Sequence, residues 1–426
     1  MNFELFYETS GICTDSRNIL KDSLFICLKG ANFNGNEFAK QAIVMGAKYV
    51  ICDEKKYANN INIFLVENSL HFLQKLANYH RKKFDIPVIG ITGTNGKTTT
   101  KELIATVLET EKNVLYTKGN LNNHIGVPLT LLNLTKSHEI AVIEMGANKP
   151  GDINELVTIA EPTHGIITNM GKAHLEGFGS FEGVQTTKKE LYDFIENSNG
   201  TLFYNEDDEI LKKHIPSIVT HYSYSSIGGN SLVVGKLIRM SPFIEMQWKS
   251  NNYISPTLET SMIGTYNYYN FLAAVTIGIH FKISNENINK ALTSYSPTNN
   301  RSQIQKTLTN TLILDAYNAN PTSMKNAIES FSKMEGENKL LILGDMFELG
   351  ETSNVEHTAI VDMVNTLNLN AFYVGEHFKQ TNPNNTNFYT NKNELIEGLN
   401  NAPLKNKLIL LKASRGIGLE SIVHLL

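Results

Sequence analysis

One short run, Gly93–Thr98 (GTNGKT), constrains the fold more than any other part of the chain. It lies between the apolar segment Val88–Ile91, which has the composition of a buried strand, and an amphipathic helical pattern. Its two glycines let the backbone turn so that N–H groups and a helix N-terminus face phosphate oxygens. Lys97 can then reach β- and γ-phosphates, and the Thr98 hydroxyl can bind Mg²⁺. The spacing GxxxxGK[ST] is not met, because Ile91 occupies the first glycine position, so an ordinary strand–turn–helix connection is the alternative.

Strand-like and helical segments alternate along the whole chain, which predicts an α/β protein with largely parallel sheets. At 426 residues the chain is too long for one core. We predict three domains: a small N-terminal α/β substrate domain over residues 1–85, a central P-loop ATPase-like parallel-sheet domain over 86–299, and a C-terminal Rossmann-like doubly wound domain over 300–426. The predicted strands are Ser23–Leu28, Lys48–Cys52, Asn62–Val66, Val88–Ile91, Ile140–Ile143, Gly165–Thr168, Leu312–Asp315, Leu340–Leu343, Phe372–Val374 and Leu408–Leu411.

The composition excludes several classes of protein. The net charge is −4 and we find no polybasic run, so nucleic acid is not an expected partner. Cys13, Cys27 and Cys52 lack CxxC spacing and are expected to be reduced thiols. No signal peptide is visible, and the apolar-rich stretch Phe271–Phe281 is shorter than the ~20 residues that span a bilayer. We expect a cytoplasmic protein without membrane insertion, acting as a monomer.

Polar side chains at strand ends are the candidates for chemistry. Glu144 follows a buried strand beside the phosphate loop, where a metal ligand for a nucleotide belongs; the alternative is an acid that caps a helix or forms a salt bridge. His174 lies in a loop after the next strand, where a structural histidine is the alternative. Asp315 ends a later strand and could bind ribose hydroxyls. The loop Asn122–Pro128 is either a turn or a site. The segment Lys412–Gly418 follows the last strand, opens the final helix, and either binds an anion or is a plain loop.

Taken in order, several motifs resemble those of the Mur ligases of peptidoglycan synthesis, and the resemblance covers nearly the whole chain. These motifs are Thr14–Arg17 (TDSR), Gly93–Thr98, Gly119–Pro128, Glu144–Ala147, Thr168–Gly179 (TNMGKAHLEGFG), Asp315–Pro321 (DAYNANP), Leu343–Gly350 (LGDMFELG) and Lys412–Glu420. The family's phosphate loop is the shortened GTNGKT form. Tyr266 stands where the family usually has His, and Asn300 where Gly is common.

The resemblance implies roles for particular residues. It implies substrate contacts at Ser16, Arg17, Lys29, Gly30, Asn122 and Asn123. It implies nucleotide contacts at Gly93, Thr94, Asn95, Gly96, Lys97, Thr98, Thr99, Asn270, Arg301 and Asp315. It implies Mg²⁺ ligands at Thr98, Glu144, His174 and Lys188, with Lys188 carbamylated by CO₂. The catalytic residues implied are Lys97, Lys188 and His174. Without the family match, Lys188 would be a solvated helix lysine like Lys189.

The implied reaction is ATP-dependent amide-bond formation. The family pattern favours the member whose substrates are UDP-N-acetylmuramoyl-tripeptide and D-alanyl-D-alanine, with ATP and Mg²⁺ as cofactors. A peptide carboxylate would take the γ-phosphoryl group, and the amine would then displace phosphate from the acyl phosphate. Three alternatives stay open: folylpolyglutamate synthase, which needs no UDP-binding domain, a regulatory protein that uses ATP as a conformational signal, and a kinase that releases a stable phosphorylated product.

Overall fold

The chain folds into three sheet-based lobes. The computed structural model describes residues 2–298 and 300–426. Within this part, the strands form sheets of four, ten and six strands and one two-stranded hairpin. The predicted three-domain α/β class is confirmed. The domain boundaries remain predictions, and the predicted end of the central domain, residue 299, lies outside the described residues.

The N-terminal lobe is a parallel sheet of order β1-β2-β5-β6. Its helix α2 begins where the Asn68 side chain accepts a hydrogen bond from the His71 N–H, 2.8 Å away. Apolar residues of α2, including Phe72 and Leu76, share one core with the central lobe, so the two lobes pack as one body. The elements are β1 Ile12–Cys13, β2 Leu24–Ile26, β3 Lys29–Gly30, β4 Phe33–Asn34, α1 Ala39–Val44, β5 Tyr49–Cys52, β6 Ile63–Leu65 and α2 Ser69–Arg81.

The central lobe is built on a ten-stranded sheet. Its elements are β7 Val88–Thr92, α3 Lys97–Leu108, β8 Val114–Tyr116, α4 Gly126–Leu131, β9 Ile140–Glu144, α5 Asp152–Ala160, β10 His164–Ile167, α6 Leu175–Phe178, α7 Phe181–Asn197, β11 Thr201–Asn205, α8 Glu209–His214, β12 Thr220–Ser225, β13 Val233–Arg239, β14 Glu245–Ser250, β15 Tyr253–Ile254, β16 Leu258–Glu259, α9 Tyr268–His280 and α10 Asn285–Ser294.

The strand order places the phosphate loop at the centre of this sheet. Strand β7 is buried along its whole length, as expected of a parallel strand covered on both faces. It pairs with β9 on one side and β10 on the other. The chain therefore continues to opposite sides of β7 in the sheet. Open α/β sheets bind their ligands in the crevice at the carboxyl end of a strand with this position.

One edge of the central sheet departs from the expected parallel arrangement. Strands β13 to β16 pair antiparallel through β14, and the sequence analysis assigned no strands there. The hairpin between β14 and β15 turns through Asn251 and Asn252, and Asn251 has a φ of 50°. Asparagine tolerates this left-handed conformation, which two-residue hairpin turns require. This pair of asparagines was the signal that could have revealed the hairpin.

The C-terminal lobe is a six-stranded sheet of order β17-β18-β22-β19-β20-β21 with apolar clusters on both faces. Among the described strands of this sheet, only β17 runs antiparallel to its neighbour, and the others are parallel. The elements are β17 Gln303–Lys306, β18 Thr311–Asp315, α11 Pro321–Lys333, β19 Lys339–Gly344, α12 Ser353–Thr366, β20 Asn370–Val374, α13 Glu376–Thr381, β21 Phe388–Tyr389, α14 Lys392–Asn401 and β22 Leu408–Lys412.

The prediction that Lys412–Gly418 opens a final helix is wrong in detail. The chain forms two 3₁₀ segments instead, Arg415–Ile417 and Leu419–Leu425. Gly418, with a φ of 69°, lies between them in the left-handed conformation and prevents a continuous helix. Across residues 2–298 and 300–426, we find no helix with the length and apolarity needed to cross a membrane.

Candidate active site

The phosphate loop connects β7 to α3 in a conformation that requires its glycines. Gly93 has a φ of 146°, and a Cβ there would lie 1.9 Å from the Thr168 Oγ1. Gly96 has a φ of 79° at the start of α3, and its Cβ would lie 2.9 Å from the Asn270 Oδ1. Thr168 Oγ1 also donates to the Asn95 carbonyl over 2.6 Å. The loop is therefore fixed from the side of β10, with the α3 N-terminus facing the crevice.

Lys97, the first residue of α3, folds back over this loop. Its ammonium donates to the carbonyl oxygens of Gly93 and Thr94, at 2.7 and 3.3 Å. Burial lowers the pKa of Lys97 to about 8, with Glu144 opposing the shift and Arg301 adding to it. The loop thus holds a cation that can lose its proton at moderately alkaline pH.

Glu144 lies at the carboxyl end of β9, directly beside α3. The side chain is 2% exposed. Its Oε1 accepts hydrogen bonds from Thr98 Oγ1 at 3.2 Å and from Asn122 Nδ2 at 2.7 Å. Its Oε2 is buried without a hydrogen bond to any described residue, and Lys101 Nζ lies 3.6 Å away. An under-coordinated carboxylate oxygen next to a threonine hydroxyl is a suitable ligand pair for a hard cation.

His174 and Lys188 lie close enough to Lys97 to be affected by its charge. His174 has a φ of 50°, and its Nδ1 pairs with a carboxylate oxygen of Glu348 in the C-terminal lobe. Burial lowers the pKa of His174, while Glu348 opposes that shift. Lys188 on α7 is 3% exposed, and burial together with the Lys97 charge holds its pKa well below the usual lysine range. Lys188 is therefore not the solvated helix lysine of the alternative interpretation.

The C-terminal lobe faces the phosphate loop with the ends of β18 and β22. Asp315 Oδ2 accepts a 2.6 Å hydrogen bond from Lys412 Nζ, and Asp315 Oδ1 accepts one from the Ser302 N–H at 3.3 Å. The Arg301 guanidinium lies 3.8 Å from the centre of the Tyr317 ring, within cation–π range. The Lys412–Gly418 segment thus contributes a buried cation to the site.

The two departures from the family pattern have physical explanations. Asn300 adopts a φ of 55°, which explains why glycine is common there and why asparagine is tolerated. The Tyr266 hydroxyl hydrogen-bonds to Ser302 Oγ over 2.8 Å. Asn267 Nδ2 donates to the same oxygen over 3.2 Å. Tyr266 therefore joins the central lobe to the start of the C-terminal lobe.

All three lobes line one cavity of about 770 Å³. Leu70 comes from α2, and Asp315 and Asn320 come from the C-terminal lobe. The predicted site residues that line it are Thr94, Asn95, Gly96, Lys97, Thr98, Thr99, Asn122, Asn123, Glu144, His174, Asn270, Arg301 and Asp315. Gly93 and Lys188 are both buried and are absent from the lining as described.

The other predicted substrate residues lie apart from this cavity. Arg17 is exposed and pairs with Asp15 at 2.8 Å. Lys29 contacts Asp53 at 2.9 Å and Glu54 at 3.2 Å. Neither these two residues nor Ser16 and Gly30 appear in its described lining, so their predicted substrate role stays a prediction. These residues belong to the N-terminal lobe alone.

Sequence reasoning missed three polar contacts of the site. Lys101 lies one helical turn after Lys97 on the same face of α3, and the four-residue spacing was the available signal. Lys412 was considered only as part of a loop. Asn320, in the DAYNANP motif, pairs with Asn95 across 225 residues of sequence. No local pattern could have revealed that partner.

Comparison with known proteins identifies the family. The Mur ligase family catalytic domain matches residues 8–81, the Mur ligase middle domain 91–278, and the Mur ligase glutamate ligase domain 300–415. The UDP-N-acetylmuramoyl-tripeptide–D-alanyl-D-alanine ligase of Bacillus subtilis is 36% identical over 97% of this chain and 92% of its own length. The protein of the same name from Buchnera aphidicola (Baizongia pistaciae) is 37% identical over 97% of this chain and 91% of its own length.

A solved structure supports the same assignment. The crystal structure of MurF ligase from Thermotoga maritima in complex with ADP superimposes with a TM-score of 0.88 at 27% identity. The superposition covers 100% of this chain and 98% of that one. The resemblance inferred from the motifs is confirmed. This chain belongs to the Mur ligase family.

Proposed function

We propose that this chain joins D-alanyl-D-alanine to UDP-N-acetylmuramoyl-tripeptide while converting ATP to ADP and phosphate. The observation that carries the proposal is the cavity in which the phosphate loop, Glu144, His174 and Asp315 meet. The full-length relatives that carry the name of this ligase support it. The product is the UDP-linked muramoyl pentapeptide, a peptidoglycan precursor. We place the reaction in the cytoplasm, where ATP and UDP-linked precursors are available, and assign it to a monomer because one chain supplies the whole cavity.

The triphosphate of ATP would lie on the phosphate loop. Backbone N–H groups at the start of α3 and the Lys97 ammonium supply positive potential there. Asp315 would accept hydrogen bonds from the ribose hydroxyls, and Lys412 orients that carboxylate through its 2.6 Å hydrogen bond. Asn270 and Arg301 also line the cavity. The Thermotoga maritima relative was solved in complex with ADP, which supports nucleotide binding by this chain.

The residues around Glu144 fit Mg²⁺. Thr98 and Glu144 would hold one ion, because the buried Glu144 Oε2 lacks a hydrogen bond in the described structure and lies beside a hydroxyl. His174 and a carbamylated Lys188 would hold a second. Among the described residues no three His, Cys, Asp or Glu side chains cluster for a metal, and phosphate oxygens and water would complete each shell. Bound Mg²⁺ offsets negative charge on the transferred phosphoryl group.

The reaction proceeds in two steps. The tripeptide carboxylate attacks the γ-phosphorus, the bond to the β-phosphate oxygen breaks, and ADP leaves an acyl phosphate behind. The neutral amine of D-alanyl-D-alanine then attacks the acyl carbon, the C–O bond to the phosphate breaks, and the amine gives up one proton, so that the products are the amide and hydrogen phosphate. Lys97 stabilises the negative charge during the first step. Closure of the three lobes around the cavity excludes water, which would otherwise hydrolyse the acyl phosphate.

The pKa of Lys97 makes nucleotide binding depend on pH. Below a pH of about 8 the free enzyme carries the ammonium form, and above it the neutral amine predominates. Bound phosphate favours the ammonium form, so the affinity for a nonhydrolysable ATP analogue should fall as the pH rises through about 8. Calorimetric titrations at constant Mg²⁺ between pH 7 and 10 would measure this. In Lys97→Arg the guanidinium stays charged over this pH range, so any remaining affinity for the analogue should not fall near pH 8. Equal affinity of the unaltered enzyme at pH 7 and 10 would contradict the assignment.

The function itself is tested by substrate dependence. We expect ADP release to require UDP-N-acetylmuramoyl-tripeptide, and ligation to require D-alanyl-D-alanine, with L-alanyl-L-alanine as the matched control. Hydroxylamine should trap the acyl phosphate as a hydroxamate in a single turnover without the dipeptide. Ligation of glutamate to a folate would instead establish folylpolyglutamate synthase. Release of a stable phosphorylated product would establish a kinase, and nucleotide binding without any turnover would favour a regulatory protein.

A further inference from the structure

The carboxamides of Asn95 and Asn320 face each other across the junction of the central and C-terminal lobes. Asn320 Nδ2 donates to Asn95 Oδ1 over 2.8 Å, and Asn95 Nδ2 lies 3.4 Å from Asn320 Oδ1. Each side-chain amide therefore donates one hydrogen bond to the other amide and accepts one from it. Asn95 belongs to the phosphate loop, and Asn320 is the residue that precedes α11. The contact joins the C-terminal lobe directly to the loop that would bind the triphosphate.

The Asn95 side chain is held in place by the backbone beneath it. The Asn95 N–H donates to Asn169 Oδ1 at 3.0 Å. The Asn95 carbonyl accepts from Thr168 Oγ1 at 2.6 Å and from Asn169 Nδ2 at 2.9 Å. Both partners follow strand β10 in the central lobe. The backbone of Asn95 is therefore fixed within its own lobe, and its carboxamide is presented to the other lobe.

Asn320 is equally well fixed within the C-terminal lobe. Its Oδ1 accepts from the Ser323 N–H at 2.9 Å, and Ser323 Oγ accepts from the Asn320 N–H at 3.1 Å. This capping box sets the side-chain orientation at the start of α11. The Nδ2 group has no part in the cap and points to Asn95. The amide is thus oriented before the two lobes meet, so little rotamer entropy is lost on contact.

Backbone packing brings the two lobes close at the same place. A Cβ at Gly171 would lie 3.0 Å from Thr322 Oγ1 in the first turn of α11. Gly171 in turn exchanges hydrogen bonds with Thr94 of the phosphate loop, at 2.9 and 3.1 Å. The start of α11, the loop after β10 and the phosphate loop therefore form three successive layers. A change in the phosphate loop is transmitted to α11 by direct contact.

We propose that Asn320 is a positioning residue for phosphoryl transfer, whose carboxamide pairs with that of Asn95 and holds the C-terminal lobe closed against the phosphate loop. The inference rests on the proposed function. In this arrangement Asp315 and Arg301 line the same cavity as Lys97 and Thr98. The pair exists only while the lobes are closed, so it favours the catalytically competent state over any open one. Nucleotide that orders the phosphate loop would strengthen closure through the same contact.

The substitution Asn320→Ser tests the pairing with Asn95 separately from the capping of α11. Serine caps helices about as well as asparagine but is too short to reach Asn95. We expect unchanged thermal unfolding, about a 5- to 50-fold fall in kcat/KM for ATP from two lost hydrogen bonds, and weaker compaction in solution scattering with a nonhydrolysable ATP analogue. Glu356→Gln is the matched control, because it removes an exposed interlobe ion pair with Lys172, 3.1 Å long, and should change little.

A double-mutant cycle tests the pairing directly. If the two amides act as one unit, Asn95→Ala combined with Asn320→Ser should lose no more than the more damaging single change. Additive losses would overturn the proposal, as would normal kcat/KM and compaction in Asn320→Ser. If Asn320→Ser unfolds at a lower temperature, Asn95→Ala alone must still reduce compaction. Scattering with the ATP analogue needs no acceptor dipeptide, so it tests the pair even if the unaltered chain fails to ligate D-alanyl-D-alanine.

Discussion

Replacement of Lys188 by alanine should abolish turnover and leave nucleotide binding nearly unchanged. Lys188 is buried on α7 close to Lys97 and His174, and burial already holds its pKa well below the usual range. At ~4 Å and an effective dielectric of ~20, two like unit charges repel by roughly 4 kcal/mol, and a divalent ion would double this. A carbamate formed from the neutral amine and CO₂ would carry a negative charge, so repulsion of the metal ion would become attraction. The carbamate would also supply an anionic oxygen ligand. We expect a loss of at least about 100- to 1,000-fold in kcat.

Lys189→Ala is the matched control for this change. Lys189 is the next residue of α7, is 37% exposed, and pairs with Asp193 one turn away. Its loss should cost little, since exposed ion pairs of this kind contribute about 0.3–0.5 kcal/mol. Formate or acetate at high concentration should partly restore Lys188→Ala by replacing the missing oxygen ligand. ¹³C-labelled CO₂ should give a carbamate signal in the unaltered enzyme and none in Lys188→Ala. Near-normal turnover of Lys188→Ala without additives would refute the proposal.

The phosphate loop was predictable because its chemistry is local. Glycines at fixed offsets, a preceding apolar strand and a following helix all lie within about twenty residues, and the structure has each of them in place. The buried strands were also predictable, since parallel strands covered on both faces are continuously apolar. Strand ends differ from the predictions by one or two residues, for example β10, which runs over His164–Ile167 instead of Gly165–Thr168.

The antiparallel edge of the central sheet was not predictable by the same reasoning. Strand β13 is buried at only two of its seven positions and carries Lys236 and Arg239. An edge region with one partly solvated face has no continuous apolar run, so its pattern is weak. The hairpin asparagines at positions 251 and 252 were the stronger signal, because turn chemistry survives where the hydrophobic pattern does not.

The interlobe contacts of the site escaped prediction for a different reason. The Asn95–Asn320 pair and the contact of His174 with Glu348 depend on how two lobes meet, and no spacing in the sequence encodes that arrangement. Glu348, like His174, has a positive φ, at 64°. Backbone conformations of this kind cost free energy and persist where surrounding structure enforces them, which is typical of functional sites. The family resemblance implied a role for His174 but not its partner.

Glu144→Gln should reduce both the stability and the activity of the protein. Glutamine keeps the shape of Glu144 but removes the charge that faces Lys101, whose side chain is 1% exposed. Breaking a buried ion pair from one side typically destabilises by about 3–5 kcal/mol, because the remaining charge stays in the interior. Burial already lowers the pKa of Lys101, and the Glu144 charge opposes that shift. Urea unfolding should show the lower free energy of unfolding. Turnover should fall by at least about 100-fold, because the substitution removes the proposed Mg²⁺ ligand.

A second substitution separates the two effects. Lys101→Met in the Glu144→Gln background removes the stranded charge and fills its volume with an apolar side chain. The double variant should regain most of the stability that Glu144→Gln loses, since replacing both partners of a buried ion pair by apolar groups is often neutral. Activity should not recover, because the carboxylate next to Thr98 is still missing. Recovery of turnover together with stability would show that Glu144 supports the fold alone. Persistent instability of the double variant would show that Glu144 stabilises the site through Thr98 and Asn122 more than through Lys101.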